Sequence, residues 1–162
     1  LIGIIISIFI FCRINSVKFF YLSDLVSVVA PIGLFLGRIA NFINTELIGR
    51  PSEFYISVIY PSIDEIPRHP SQLYEAFFEG LVLFLILLFY FIKKSNLENY
   101  GLVTGFFLTL YALFRFLIEF LREPDAQLGL FYNFISMGQI LSIPIFIFGI
   151  ILILYNGYKS KK

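Results

Sequence analysis

Tryptophan is absent from the 162 residues, cysteine, histidine and methionine occur once each, and charged side chains make up only 14%. A single cysteine, Cys12, cannot close an internal disulfide, and with one histidine, His69, it cannot build a structural zinc site. Lys and Arg number 12 against 11 Asp and Glu, and a net charge of +1 provides no basic footprint for nucleic acid. The same figures exclude disorder, collagen and coiled coil. Apolar side chains fill the space: 59% of residues are hydrophobic, 21 are Phe, and the mean hydropathy is +0.88. An ordinary soluble domain is about half apolar and a quarter charged. Here the excess falls in long uncharged runs, so the composition predicts a membrane protein.

Five apolar segments stand out: Leu1–Cys12, about Leu25–Ile43, Ala76–Ile92, Gly101–Leu121 and roughly Phe134–Tyr155. Each of the last four is long enough to cross or nearly cross a bilayer. Pro31 and Pro144 lie inside segments, where membrane helices tolerate a kink. The first segment spans only about 18 Å as a helix, short of the roughly 30 Å hydrocarbon core. It begins at Leu1 without the basic leader or cleavage site of a signal peptide. The expectation is an all-α polytopic membrane protein, residues 1–162 forming a single transmembrane domain. It would have about four full transmembrane helices plus one truncated N-terminal helix, in a chain whose earlier part is missing. No internal repeat of the transporter kind is visible.

Lys and Arg in the connections set the orientation. Arg13 and Lys18 follow segment one, Lys93 and Lys94 follow segment three, and Lys159, Lys161 and Lys162 follow segment five. In an up-and-down path these alternate ends share one face, which is then cytoplasmic. The opposite face receives the 46–75 connection, on the periplasmic side, and the 122–133 connection.

Every remaining arginine, Arg38, Arg50, Arg68, Arg115 and Arg122, falls on or just inside that opposite face. In segment four, spacings of four and three put Arg115, Glu119 and Arg122 on one helical face. Charges inside a membrane persist when they pair or face a wet cavity, so the group is either a site or an ion pair joining helices. At the end of segment two, a continuing helix would place Arg38, Asn41 and Thr45 on one face, with Glu46 about 80° away. Gly49 and Pro51 would then stop it. Arginine carries a planar fork of donors suited to phosphate, and asparagine can bond phosphate or hydroxyl. Before segment three, Pro70 suits a first helical turn, Ser71 could help cap it, and Glu75 and Glu79 stand four apart at its mouth. His69, the one imidazole, could serve as a base, although a lone loop histidine is more often incidental. Cys12, in an apolar stretch beside the cytoplasmic face, reads as a buried inert thiol.

Together these stretches resemble the phosphatidylglycerol–prolipoprotein diacylglyceryl transferase family. Gly37-Arg-Ile-Ala-Asn-Phe-Ile-Asn-Thr-Glu-Leu-Ile-Gly-Arg50 looks like the family signature, Arg68-His-Pro-Ser-Gln-Leu-Tyr-Glu75 like its second motif, and Arg115-Phe-Leu-Ile-Glu-Phe-Leu-Arg-Glu-Pro-Asp125 like its third. Met137-Gly-Gln-Ile-Leu-Ser142 also fits, while Ala40 and Thr45 stand where many members have glycine. The resemblance implies a seven-helix enzyme of the bacterial inner membrane, with its C-terminus in the cytoplasm and its active-site side periplasmic. Such an enzyme transfers the diacylglyceryl group of phosphatidylglycerol to the lipobox cysteine thiol of a prolipoprotein signal peptide, forming a thioether. By motif position Arg38 would bind the phosphatidylglycerol headgroup, with Asn41, Glu46 and Gly49 shaping that site. Arg115 and Glu119 would form the other essential pair, with Glu75 nearby. A His-Gly-Gly motif that members carry ahead of this stretch has no counterpart in these residues.

The residue types suit that chemistry. Cations in a low-dielectric site stabilise a departing phosphate ester, and the thiol needs a base or a positive field to become a thiolate. No cofactor or metal is called for, and the expected partners are phosphatidylglycerol, the prolipoprotein and membrane lipids, with no nucleic acid. The proton acceptor stays open among the histidine of the missing motif, Glu119 and His69. The alternative is a polytopic transporter or channel subunit whose Arg115–Glu119 pair lines a path. Reporter fusions test the orientation: those after Lys94 and Lys162 should report cytoplasm, and those near Asp64 and Gln127 the opposite side. A cytoplasmic signal at Asp64 would overturn it.

Overall fold

The computed structural model describes residues 2–93, 100–124 and 135–159. Leu1, Lys94, Asp125, Gln127, Asn133, Phe134, Lys161 and Lys162, on which parts of the segment, orientation and motif readings rest, lie outside the described residues. The described chain is helical. α1 covers Ile2–Ile14 and α2 covers Phe19–Ile43, with Pro31 inside it. One continuous helix, Ser71–Lys93, comes next as α3 (Ser71–Glu75), a π-helical stretch (Ala76–Val82) and α4 (Leu83–Lys93). α5 is Leu102–Ile118 and α6 is Met137–Lys159. Three helices, Phe19–Ile43, Ser71–Lys93 and Met137–Asn156, are long and apolar enough to cross a membrane. α5, with 17 residues, rises about 25 Å and stands at the lower limit for a span. The fold is therefore all-α and polytopic, with three full-length spans and the shorter apolar helices α1 and α5 among the described residues, in keeping with the expected class.

Two local expectations fail. α2 does not run on through Thr45: it ends at Ile43, Asn44 keeps α-helical angles, and Thr45 turns to φ 57°. A left-handed residue stops a helix whatever its type, so Thr45 and Glu46 share no helical face with Arg38, and Gly49 and Pro51 are not what ends the helix. Ser71 does not cap α3 either. Its hydroxyl donates to the Leu47 carbonyl at 3.0 Å, tying the loop to the helix instead.

Without a hydrophobic force between helices in lipid, their close approach depends on small residues and van der Waals fit. At Gly80 in the π stretch, an added Cβ would lie 2.6 Å from the Phe35 Cβ and 2.8 Å from its Cα, so α2 rests directly on that backbone. Val28, Leu83, Leu87 and Val103 form the buried core, ringed by Phe84, Phe91, Phe106 and Phe107. Phe89, Leu36, Leu117 and Leu154 point outward at 69, 60, 53 and 67% exposure, an apolar coat suited to a membrane interior. The protein is a membrane protein.

The helix ends sort into two groups. Lys18 lies over the Tyr100 ring at 5.0 Å, and both line one recess with Tyr155 and Asn156 near the end of α6. At the other end Gly49 pairs with Arg122, and Pro51 and Val58 pair with Arg68. Near the first group, Asp24 of α2 caps α5 from outside its own sequence. Its carboxylate accepts the Gly101 amide at 2.7 Å, the Thr104 amide at 2.8 Å and the Thr104 hydroxyl at 2.6 Å. First-turn amides lack partners within their own helix, and Asp24 is 3% exposed. Asp24→Ala should therefore cost about 2–4 kcal/mol, since it strands two buried N–H groups. The check is the unfolding midpoint in detergent; an unchanged midpoint would contradict the capping role.

Candidate functional site

Six charged side chains from three segments meet inside the helix cluster. Arg38 lies on α2, Glu75 closes α3, Glu79 sits in the π stretch, Arg115 is in the last turn of α5, and Glu119 and Arg122 come just after it. Glu75 is the bridge: its Oε2 lies 2.9 Å from Arg38 Nε and its Oε1 2.6 Å from Arg115 Nη1. The second guanidinium nitrogen, Arg115 Nη2, reaches Glu119 Oε2 at 2.8 Å, the four-residue pair that the sequence spacing allowed. Arg122 approaches that same oxygen at 3.8 Å. Glu79 is held more loosely, 3.5 Å from Arg38 Nη2 and 3.8 Å from Arg115 Nη1.

These placements have a backbone cause. A π-helical stretch inserts a wider turn inside an α-helix and is frequent at functional sites. Here it lies between the bridging Glu75 and the start of α4 and carries Glu79 on the same side of the helix. Contact between Gly80 and Phe35 brings α2 close enough for Arg38, three residues further on, to cover both carboxylates.

With every group ionised, three cations meet three anions and the cluster is neutral. That balance is what permits burial, because an isolated ion taken from water costs several kcal/mol. Glu75 and Glu79 have no exposed surface, whereas the Arg38 side chain, 16% exposed, is the most open of the six. An incoming anion would therefore meet Arg38 first.

The connection between α2 and α3 is stitched over this cluster. Gln72 Nε2 donates to the Glu46 carbonyl at 2.7 Å, and the Tyr60 hydroxyl donates to Gln72 Oε1 at 3.1 Å. Arg50 donates from its amide to the Leu121 carbonyl at 2.9 Å and from Nε to the Arg122 carbonyl at 3.0 Å. Arg68 binds Glu123, the Gly49 carbonyl at 3.3 Å, and Asp64 through Nη2 at 2.6 Å. Arg50 and Arg68 thus fasten the loop to the turn after α5.

The sequence-derived site residues divide accordingly. Arg38, Glu75, Arg115 and Glu119 come together. Asn41 is half-buried on α2 just past Arg38, and its carbonyl accepts the Glu46 amide at 2.9 Å. The Glu46 side chain is exposed and forms no ion pair among the described residues. Gly49 acts through its backbone: its N–H donates to the His69 carbonyl at 3.1 Å, and an added Cβ would collide with that oxygen. His69 stands apart from the cluster, with Nδ1 3.3 Å from the Tyr74 hydroxyl. Sequence spacing marks Glu79 and Arg122 without assigning them to a site. It does not reveal Ser136, which donates to Glu119 Oε1 at 3.0 Å. The four-residue Glu75–Glu79 spacing and the Ser-x-x-Gln pattern at 136–139 were the available signals.

Residues 1–155 match the family model for prolipoprotein diacylglyceryl transferase. The chain is 55% identical over 157 residues to the phosphatidylglycerol–prolipoprotein diacylglyceryl transferase of Rickettsia akari (strain Hartford), covering 97% of this chain and 61% of that protein. It is 53% identical over 159 residues to that of Rickettsia bellii (strain OSU 85-389), covering 98% and 60%. With Rickettsia typhi (strain ATCC VR-144 / Wilmington) the identity is 52% over 152 residues, covering 94% and 59%. The chain thus spans about three fifths of the length of the curated relatives it matches.

Outside the spans, the loop clasp has a defined pH response. Hydrogen bonding from Arg68 holds the Asp64 carboxyl below the usual carboxylate range. Because the folded value lies below the unfolded one, the clasp is at full strength above about pH 4. It is lost as pH falls through the folded value. Hydrogen-exchange protection of the Val58 and Arg68 amides, which bond each other's carbonyls, should hold from about pH 7 to 5 and fall only below about 4. Asp64→Asn should remove that step. A loss of protection between neutrality and about pH 5 would contradict the assignment.

Proposed function

The chain belongs to the prolipoprotein diacylglyceryl transferase family, and from that premise we propose that its cluster of three arginines and three glutamates transfers diacylglyceryl from phosphatidylglycerol to a prolipoprotein. The observation that carries the reading is the convergence of Arg38, Glu75 and Arg115, with Arg38 at the open edge. In this reading the lipid phosphate docks on the Arg38 fork, and Arg115 below it supplies the second cation. The acceptor is the lipobox cysteine of a signal peptide. Its sulfur bonds to the glyceryl carbon as that carbon's bond to the phosphate oxygen breaks. Glycerol phosphate departs with the bonding electrons, and the thiol proton passes to a base.

The chemistry fits the geometry for physical reasons. Guanidiniums fixed by carboxylates do not reorganise as charge develops on the leaving phosphate, which is how preorganised donors lower a barrier. Low dielectric strengthens each of these contacts. Glu119 already accepts from Arg115 and Ser136, which favours a role as the anchor of Arg115 over one as the thiol's base. His69, bonded to Tyr74, touches none of the six. We place the protein in the bacterial inner membrane, with the cluster end of the helices periplasmic and the Lys18 end cytoplasmic.

The test is Arg38→Ala and Arg38→Lys in the gene product that carries these residues, scored by thioether formation on a lipobox peptide with phosphatidylglycerol. Alanine should cut turnover about a hundredfold to a thousandfold, the usual loss when one such donor is removed. Lysine should restore little of it, because an ammonium lacks the planar fork that spans Glu75, Glu79 and phosphate together. Normal transfer by the alanine variant would refute the headgroup role.

A further inference from the structure

Glu119 is gripped from a direction that the proposed reaction does not by itself require. The start of α6 forms a reciprocal cap: the Gln139 amide donates to Ser136 Oγ at 3.2 Å, and the Ser136 amide donates to Gln139 Oε1 at 3.0 Å. This is the capping-box arrangement, which satisfies two end amides at once. It also settles the hydroxyl's direction. With an Oγ lone pair taken by the Gln139 N–H, the hydroxyl hydrogen is free to be donated, and Glu119 Oε1 lies 3.0 Å away to receive it. A carboxylate is an acceptor, so Ser136 is the donor in that bond. Ser136 is 4% exposed and Glu119 6%, so water screens the contact little.

A second contact comes from the same turn. A Cβ on Gly138 would lie 2.7 Å from both Glu119 Cδ and Oε1 and 2.9 Å from Oε2. The carboxylate therefore lies against the Gly138 backbone, over the first turn of a 23-residue helix, the helix end whose dipole favours an anion. Its other oxygen, Oε2, faces Arg115 Nη2 at 2.8 Å.

We propose that Ser136 and Gly138 are positioning residues which fix the Glu119 carboxylate and, through it, aim Arg115 at the phosphate that leaves. The inference rests on the transferase reading of the cluster. Neither residue reaches the substrate; α6 acts as a wall that stops Glu119, and hence the Arg115 fork, from rotating. A misplacement of about 1 Å at such a group costs on the order of a hundredfold in rate.

The experiment separates positioning from simple capping. Asp caps a helix as well as Ser and better than Thr, but its carboxylate cannot donate to Glu119 and repels it. Thr keeps both the cap and the donor. The gene product carrying Ser136→Asp, Ser136→Thr or Gly138→Ala is assayed for kcat and KM with phosphatidylglycerol and a lipobox peptide, alongside thermal stability. Ser136→Thr should stay within about twofold of wild type, while Ser136→Asp and Gly138→Ala should lose about tenfold to a hundredfold in kcat with KM little changed. Should Ser136→Asp fail to accumulate in the membrane, Ser136→Gly takes its place, since Gly caps nearly as well and has no hydroxyl. Turnover by Ser136→Asp, or by Ser136→Gly in its place, equal to that of Ser136→Thr would overturn the proposal and leave α6 a structural cap alone. Wild-type protein that transfers nothing would overturn the transferase reading, and this inference with it.

Discussion

Glu75 has no exposed surface and two guanidinium partners, Arg38 at 2.9 Å and Arg115 at 2.6 Å. Each partner comes from a different helix, so a single carboxylate fixes the relative positions of α2, α3 and α5. Remove it, and the buried Arg115 and the half-buried Arg38 lose their closest anion; breaking a buried pair costs about 3–5 kcal/mol. The rest of the site depends on keeping that bridge in place. Gly80 lets α2 approach, the π stretch carries Glu79 beneath both arginines, and Glu119 holds the far side of Arg115.

The same bridge reconciles stability with chemistry. An apolar replacement of comparable volume could hold the helices together as well or better, but it would offer no anion site. A neutral cluster with one arginine at its open edge keeps the charges available while avoiding a net buried charge. The loop above adds rigidity: Arg50 and Arg68 bind the turn at 121–123 and leave Arg38 as the outermost cation of the cluster. At the opposite end Asp24 performs a purely structural task, capping α5 across the helix interface.

Much of this was visible in the sequence where local spacing governs. Hydropathy located the membrane segments, and the four-residue interval from Arg115 to Glu119 corresponds to a real pair. What escaped depends on tertiary placement. The stop of α2 at Ile43 rests on a left-handed Thr45, a conformation that no propensity assigns to threonine. Asp24 meets Thr104 across 80 residues of chain, so nothing near Asp24 announces its role. The π stretch reads as ordinary apolar helix because its residue types are the same. Ser71 resembled a cap by position, yet its hydroxyl found the Leu47 carbonyl instead. Ser136 opens a Ser-x-x-Gln pattern that the sequence reading passes over, and its link to Glu119 appears only once the turn after α5 meets the start of α6.

On the proposed function, phosphate belongs on this cluster and not on the loop arginines. A structure of the gene product in lipid nanodiscs with phosphatidylglycerol bound tests it most directly. The lipid phosphate should lie within hydrogen-bond reach, about 3 Å, of the Arg38 and Arg115 guanidiniums, with the Glu75 bridge intact beneath it. A phosphate seated against Arg50 or Arg68, with Arg38 still turned wholly toward Glu75 and Glu79, would contradict it.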